Sequence, residues 1–466
     1  TAPNVTKNVE VEQSTVIVST NNNTQENTVN ELENLAPNEI TKEQAEKCIR
    51  EIYHRRTTFN DPDMRKSICG SLKHLGSDLY SSRVHFLHEL IQNAEDNSYD
   101  STITPCLRIE LHHNYILFSN NERGLRARDV LAICSLAVST KTMQQELIGE
   151  KGVGFKSVFA ASNQPMLFSH AWKFRFQVSA SDAMSYITPL WIADPDIPDC
   201  ISNKISAHTN ETHLYLPLKP QAYTTETESF LNQVATAVDP CILLNMRHLK
   251  KLEIIDEREN KVTTIEKQLV GPTKLEDQSN LTFEGFSFND LSGSLVKLCT
   301  RSGYNTFRVY TCYIEIPTSI EQRRSPKSRL LLAFPCELDY NLTSTVYTGL
   351  PVCDLGFNFL FNADFQLVTS RENVRENAPL NTFIRDHLAT LFVYLLLNDF
   401  DLKKDIHRYC PTTNIHQLRH SSWWLSMVDN INSLITKYLP VLFDIHAGKT
   451  MRQFNTDLAL LISNEQ

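Results

Sequence analysis

At 466 residues and 53.3 kDa the chain is long enough for two or three domains with substantial cores. Its 41% apolar and 21% charged content is ordinary for a globular protein, and a net charge of −9 excludes the usual basic nucleic-acid binder, so nucleic acid is not an expected partner. Eleven dispersed cysteines without a Cys-x-x-Cys pair argue against a disulfide framework or zinc knuckle and for an intracellular setting, cytoplasm or nucleus; no run approaches the roughly 18 apolar residues of a membrane span.

Residues 1–38 are rich in Asn, Thr and Glu and lack the apolar density to offset ordering, which predicts a disordered tail. A chain that begins at Thr1 without methionine is read as an excerpt from something longer. Thr41 and Gln44 form a capping-box pattern opening a helix with Ala45, Ile49 and Ile52 inward, and a second helix carries Leu72 and Leu75 and ends near Gly76. Over 85–97 the helical period sets Leu87, Leu90, Ile91 and Ala94 on one side, with Glu89, Asn93 and Asp96 together on the other. A carboxylate and a carboxamide four residues apart can hold magnesium and polarise a water. Taken alone, the segment reads rather as an ordinary amphipathic surface helix.

Strands over 107–111 and 115–118 flank His112-His113-Asn114 as a hairpin, and a helix follows over 128–136. Four of the thirteen glycines fall between 124 and 154. Gly149-Glu-Lys-Gly152-Val-Gly154-Phe-Lys-Ser-Val-Phe159 runs into an apolar helical pattern, so amides there can approach phosphate, with Lys151 and Lys156 adding charge. Further strands are expected at 174–178, 213–216, 252–255, 310–316, 330–334 and 357–365, followed by a helical C-terminus without internal repeats. Arg323-Arg324-Ser-Pro-Lys-Ser-Arg329 reads as an exposed loop, and Trp423-Trp424 as helix packing.

The order of these motifs carries a resemblance. Leu90-Ile-Gln-Asn-Ala-Glu-Asp-Asn97, Asn120-Asn-Glu-Arg-Gly124, Ser139-Thr-Lys141, the glycine loop, Phe361-Asn-Ala-Asp-Phe365 and Thr369-Ser-Arg-Glu372 resemble the GHKL ATPase superfamily, and within it the branch containing sacsin and NO VEIN. The resemblance covers roughly residues 65–390. It implies an α+β fold: a two-layer sandwich of the GHKL (Bergerat) type over 39–236, a smaller mixed α/β transducer-like domain over 237–380, and a helical region over 381–466.

The resemblance also implies a site for ATP and Mg2+. Glu89 would be the general base and Asn93 the magnesium ligand. Asn120 and Gly124 would meet adenine, joined by Thr212 from a strand. The 149–156 loop, through Gly149, Lys151, Gly152, Val153, Gly154, Phe155 and Lys156, would hold the phosphates under a lid bearing Ser139, Thr140 and Lys141, and Arg371 would reach the terminal phosphate. His88 lies inside the magnesium helix and lacks the sequence that follows a phosphoacceptor histidine. One departure stands out: Asn120 takes the place of the superfamily's Asp, and Glu122 replaces its first glycine. An amide oxygen still accepts adenine's amino hydrogen, without charge assistance. The implied activity is a slow magnesium-dependent ATPase with a chaperone-like or regulatory role, a client protein and a homodimer on lid closure. The alternative is a non-catalytic nucleotide-binding scaffold or protein-interaction module, a pseudo-ATPase.

Overall fold

The computed structural model describes residues 31–58, 84–135, 154–179, 181–219, 225–320, 326–337, 340–368, 373–411 and 421–438. The predicted helix at Leu72 and Leu75 lies outside these residues, as does the stretch 1–30 of the expected tail. Within 31–38, Leu32 is buried and a short 3-10 turn covers Pro37–Glu39, so this apolar fringe of the tail packs onto the body.

Helix α1 (Lys42–Thr57) opens on the expected capping box: Thr41 Oγ1 accepts the Gln44 amide at 3.3 Å, and Gln44 Oε1 accepts the Thr41 amide at 2.9 Å. Ala45, Ile49 and Ile52 are buried as their spacing requires. Helix α2 (His85–Glu95) follows, then a hairpin of β1 (Cys106–Leu111) and β2 (Tyr115–Asn120), and helix α3 (Ala127–Ile133). Beyond a 3-10 segment (Gly154–Ala160) come β3 (Met166–Ser169), β4 (Trp172–Arg175), β5 (Leu190–Trp191), α4 (Asp199–Ala207), β6 (Thr212–Pro217), α5 (Thr225–Thr236) and α6 (Ile242–Asn245).

Strands then dominate: β7 (Lys251–Asp256), β8 (Lys261–Pro272), β9 (Gln278–Phe283), β10 (Phe286–Thr300), β11 (Gly303–Glu315), β12 (Lys327–Pro335), β13 (Val346–Thr348), β14 (Leu350–Cys353) and β15 (Leu360–Asn362). The strand expected over 357–365 is confined to its middle. Helices α7 (Pro379–Asn398), α8 (Phe400–Lys404), α9 (Ile406–Tyr409) and α10 (Ser422–Tyr438) complete the described chain.

The protein is mixed α/β around one large mixed sheet, ordered β14-β13-β15-β12-β11-β10-β8-β7-β1-β2-β6-β3-β4-β5, with β9 on β10. Pairing is antiparallel except for β1 with β7 and β13 with β15. Strand β7, which sequence places in a second domain, lies beside β1 in register Leu107↔Leu252 and Ile109↔Ile254. Strand β8 pairs with β7 through its first half and with β10 through its second. The sheet therefore runs unbroken from the first lobe, β1–β7, into the second lobe, β10–β15 with α7–α10.

Every β2 residue is buried, because helices cover both sheet faces. Phe86 and Leu87 of α2 join Ile109, Leu111, Ile116 and Phe118 in the main core, while Leu117, Phe168 and Ile201 of α4 close the opposite face. In the second lobe, Phe359 stacks on Phe392 at 4.5 Å, and Trp424 packs against Phe361 and Phe365, the helix packing expected of Trp423-Trp424. All described cysteines are free thiols, and no described helix is long and apolar enough to cross a membrane.

Candidate functional site

Glu89 is not on an outward face. It is 6% exposed, because the 3-10 segment lies over the helix side that periodicity leaves polar. A methyl group built on Gly154 would stand 2.4 Å from Glu89 Oε2, so the glycine is required for this approach. His85, one turn earlier, places Nε2 3.8 Å from Glu89 Oε1. Asn93 and Asp96 continue the same face and are half-buried. A carboxylate held under a glycine turn, with a carboxamide one helical turn further on, is a donor set suited to magnesium and a water.

At the far end of β2, Asn120 is buried and its Oδ1 lies 3.0 Å from the Tyr99 hydroxyl, which also reaches the Ala94 carbonyl at 2.6 Å. Burial pushes the Tyr99 phenol far above its ordinary pKa, so it remains an O–H donor. Asn120 pairs with Thr212 across β2 and β6, and Thr212 Oγ1 meets Ser169 Oγ at 2.7 Å from β3. Ser169 in turn accepts the Leu125 amide at 3.0 Å. Pairing of β6 with β2 and β3 thus brings Asn120, Thr212 and the Gly124 turn together. Gly124 has φ +96°, and a methyl there would meet the His170 ring at 2.2 Å, so a side chain is excluded twice over. Glu122 is 5% exposed within the same turn.

Tyr99 and Ser169 were not expected at the site. The only sequence signal is Tyr99's position just after the helix that carries Glu89 and Asn93; Ser169 becomes visible only once β3 is known to pair with β6.

Lys156 faces inward. It is 3% exposed, its ammonium donates to the carbonyls of Ile133 at 2.5 Å and Tyr186 at 2.8 Å, and the Phe176 ring lies 4.8 Å away. Its amine nitrogen therefore closes the C-terminal end of α3 at the Ile133 carbonyl rather than reaching outward. Phe155 packs beside Phe176 at 6.0 Å. The remaining expected residues, Ser139, Thr140, Lys141, Gly149, Lys151, Gly152, Val153 and Arg371, lie outside the described residues.

Burial brings the Lys156 pKa down from 10.5 to about 7. Between those values the unfolded chain binds more protons than the folded one, so stability rises with pH across the window. One such group contributes a slope of up to about 1.4 kcal/mol per pH unit. Lys267, brought to about 7 chiefly by burial, contributes in the same sense. Thermal melts between pH 7 and 10 are expected to show a rise that is shallower in Lys156→Met than in wild type; parallel curves would contradict this placement.

One further group of metal-ligand atoms, Glu110, His112 and Glu257, gathers among the described residues. Strand alternation puts Glu110 on the sheet face away from α2, and the Lys204 ammonium already pairs with it. It is separate from the Glu89 face.

Fold and geometry define a mixed α/β protein in which a buried helix carboxylate meets a glycine turn. No family model matches the chain. It is 26% identical over 330 residues to Protein NO VEIN of Arabidopsis thaliana, an alignment covering 69% of this chain and 11% of the plant protein. The chain thus corresponds to a small part of that relative, and the likeness supports the NO VEIN branch of the resemblance.

Proposed function

We propose that the chain is an ATP-binding module of the GHKL type, a slow magnesium-dependent ATPase serving a chaperone-like or regulatory role. The observation that carries this reading is the approach of Glu89 to Gly154, which joins two motifs 65 residues apart in one site. Asn93 would hold the metal. Magnesium, when bound, would neutralise phosphate charge and polarise the phosphoryl group. Glu89 takes a proton from the attacking water as the terminal phosphorus–oxygen bond breaks, leaving ADP and phosphate. The Gly154 turn shields that carboxylate from bulk water, and Asn120, steadied by Tyr99, offers its amide beside Thr212 for adenine.

A second reading, nucleotide as a structural ligand without turnover, draws on Asn120 in place of an acidic residue and on the inward Lys156 ammonium. The two separate in one experiment that pairs thermal melts with phosphate release at saturating Mg-ATP. Stabilisation with slow phosphate release is expected. Stabilisation without release selects the scaffold, and neither effect overturns both.

A further inference from the structure

The helix bearing Glu89 and Asn93 is anchored at its end by a carboxylate that the proposed chemistry does not use. Glu95 is 2% exposed. Its Oε1 accepts the amides of Arg247 at 2.5 Å and His248 at 3.1 Å; its Oε2 accepts those of His248 at 3.1 Å and Leu249 at 2.9 Å. His248 Nδ1 also lies 2.9 Å from the Glu95 carbonyl oxygen. A carboxylate this deeply buried needs such donors, so helix and segment are held as one unit.

The same segment is gripped from its other side. The Asn245 carbonyl accepts Arg329 Nη1 of β12 at 3.3 Å, the Met246 carbonyl accepts Lys267 Nζ of β8, and the Arg247 carbonyl accepts Lys250 Nζ at 2.7 Å. Upstream, Asp239 accepts the Tyr347 hydroxyl at 2.9 Å and the Thr343 hydroxyl, while the Cys241 thiol meets the Tyr340 hydroxyl at 3.2 Å. Residues 239–249 are therefore bonded to the site helix on one side and to the second lobe on the other.

We propose that Glu95 is a positioning residue that, through segment 245–249, couples the placement of Glu89 and Asn93 to Arg329 and the second lobe. The nucleotide side of this proposal rests on the ATP reading above; the mechanical link does not. Coupling of this kind is reciprocal, so binding at the site helix must also be felt at β12.

Hydrogen exchange on the full chain tests it, using Glu95→Gln, Arg329→Gln and the double variant. Glutamine keeps the shape but turns an NH2 toward an amide donor. Each single variant is expected to speed exchange of the 86–94 amides about tenfold, with the double no faster than either single, because both cut one path. An Arg329→Gln variant that leaves α2 unchanged, or effects that multiply, would overturn the link. Arg329→Lys should restore slow exchange, and this pair decides the matter if Glu95→Gln does not fold. With Mg-ATP, wild type should gain protection over 327–335. Glu95→Gln should lose that protection and about tenfold in kcat, with KM within about threefold; kcat and KM moving together with the melting temperature would reduce Glu95 to a structural role. If wild type binds no Mg-ATP, the ATP reading fails while the nucleotide-free cycle still decides the link.

Discussion

Glu89→Ala is expected to lower phosphate release at saturating Mg-ATP at least about a hundredfold, the scale of a lost general base, while nucleotide affinity stays within about threefold. The separation follows from the site's construction. On the proposed reading adenine would be met by Asn120 and Thr212 on β2 and β6 and the metal by the Asn93 carboxamide, none of them the Glu89 carboxylate. Steady-state release and isothermal titration on the same preparation check both halves. Hydrolysis that continues unchanged in this variant would remove Glu89 from its role.

Gly154→Ala should damage stability and turnover together. Its methyl meets Glu89 Oε2 at 2.4 Å, so either the carboxylate rotates away or the 3-10 segment backs off, at an overpacking cost of about 1–3 kcal/mol. Because Glu89 itself supplies the clash, the Glu89→Ala/Gly154→Ala double variant should recover most of the lost stability. Chemical denaturation of the four proteins measures this cycle. Additive losses would mean that helix and glycine turn do not meet as described.

Legibility in the sequence followed local periodicity. The capping box at Thr41, the hairpin over 106–120, and strands β6, β7 and β12 all appear where alternation or helical spacing is strong. The ribbon from β8 to β10 escaped notice: its Ser, Thr, Asn and Lys residues alternate between half-buried and exposed faces, leaving little apolar contrast. Parallel pairing of β1 with β7 joins segments that no local pattern connects.

At the site, a helical wheel correctly grouped Glu89, Asn93 and Asp96 but could not reveal that a second layer buries the first of them. The same limit hid Lys156, whose basic character suggested a phosphate when its partners are carbonyls of Ile133 and Tyr186. Glu95, one position before Asp96 in the motif, carried no sequence signal because its donors are backbone amides 152 to 154 residues away.

Isothermal titration of the full chain with ATP in the presence and absence of magnesium tests the central claim most directly. The account predicts saturable binding at one site per chain, strengthened by magnesium, with that strengthening lost in Asn93→Ala. No heat of binding at millimolar nucleotide, with or without the metal, would contradict it.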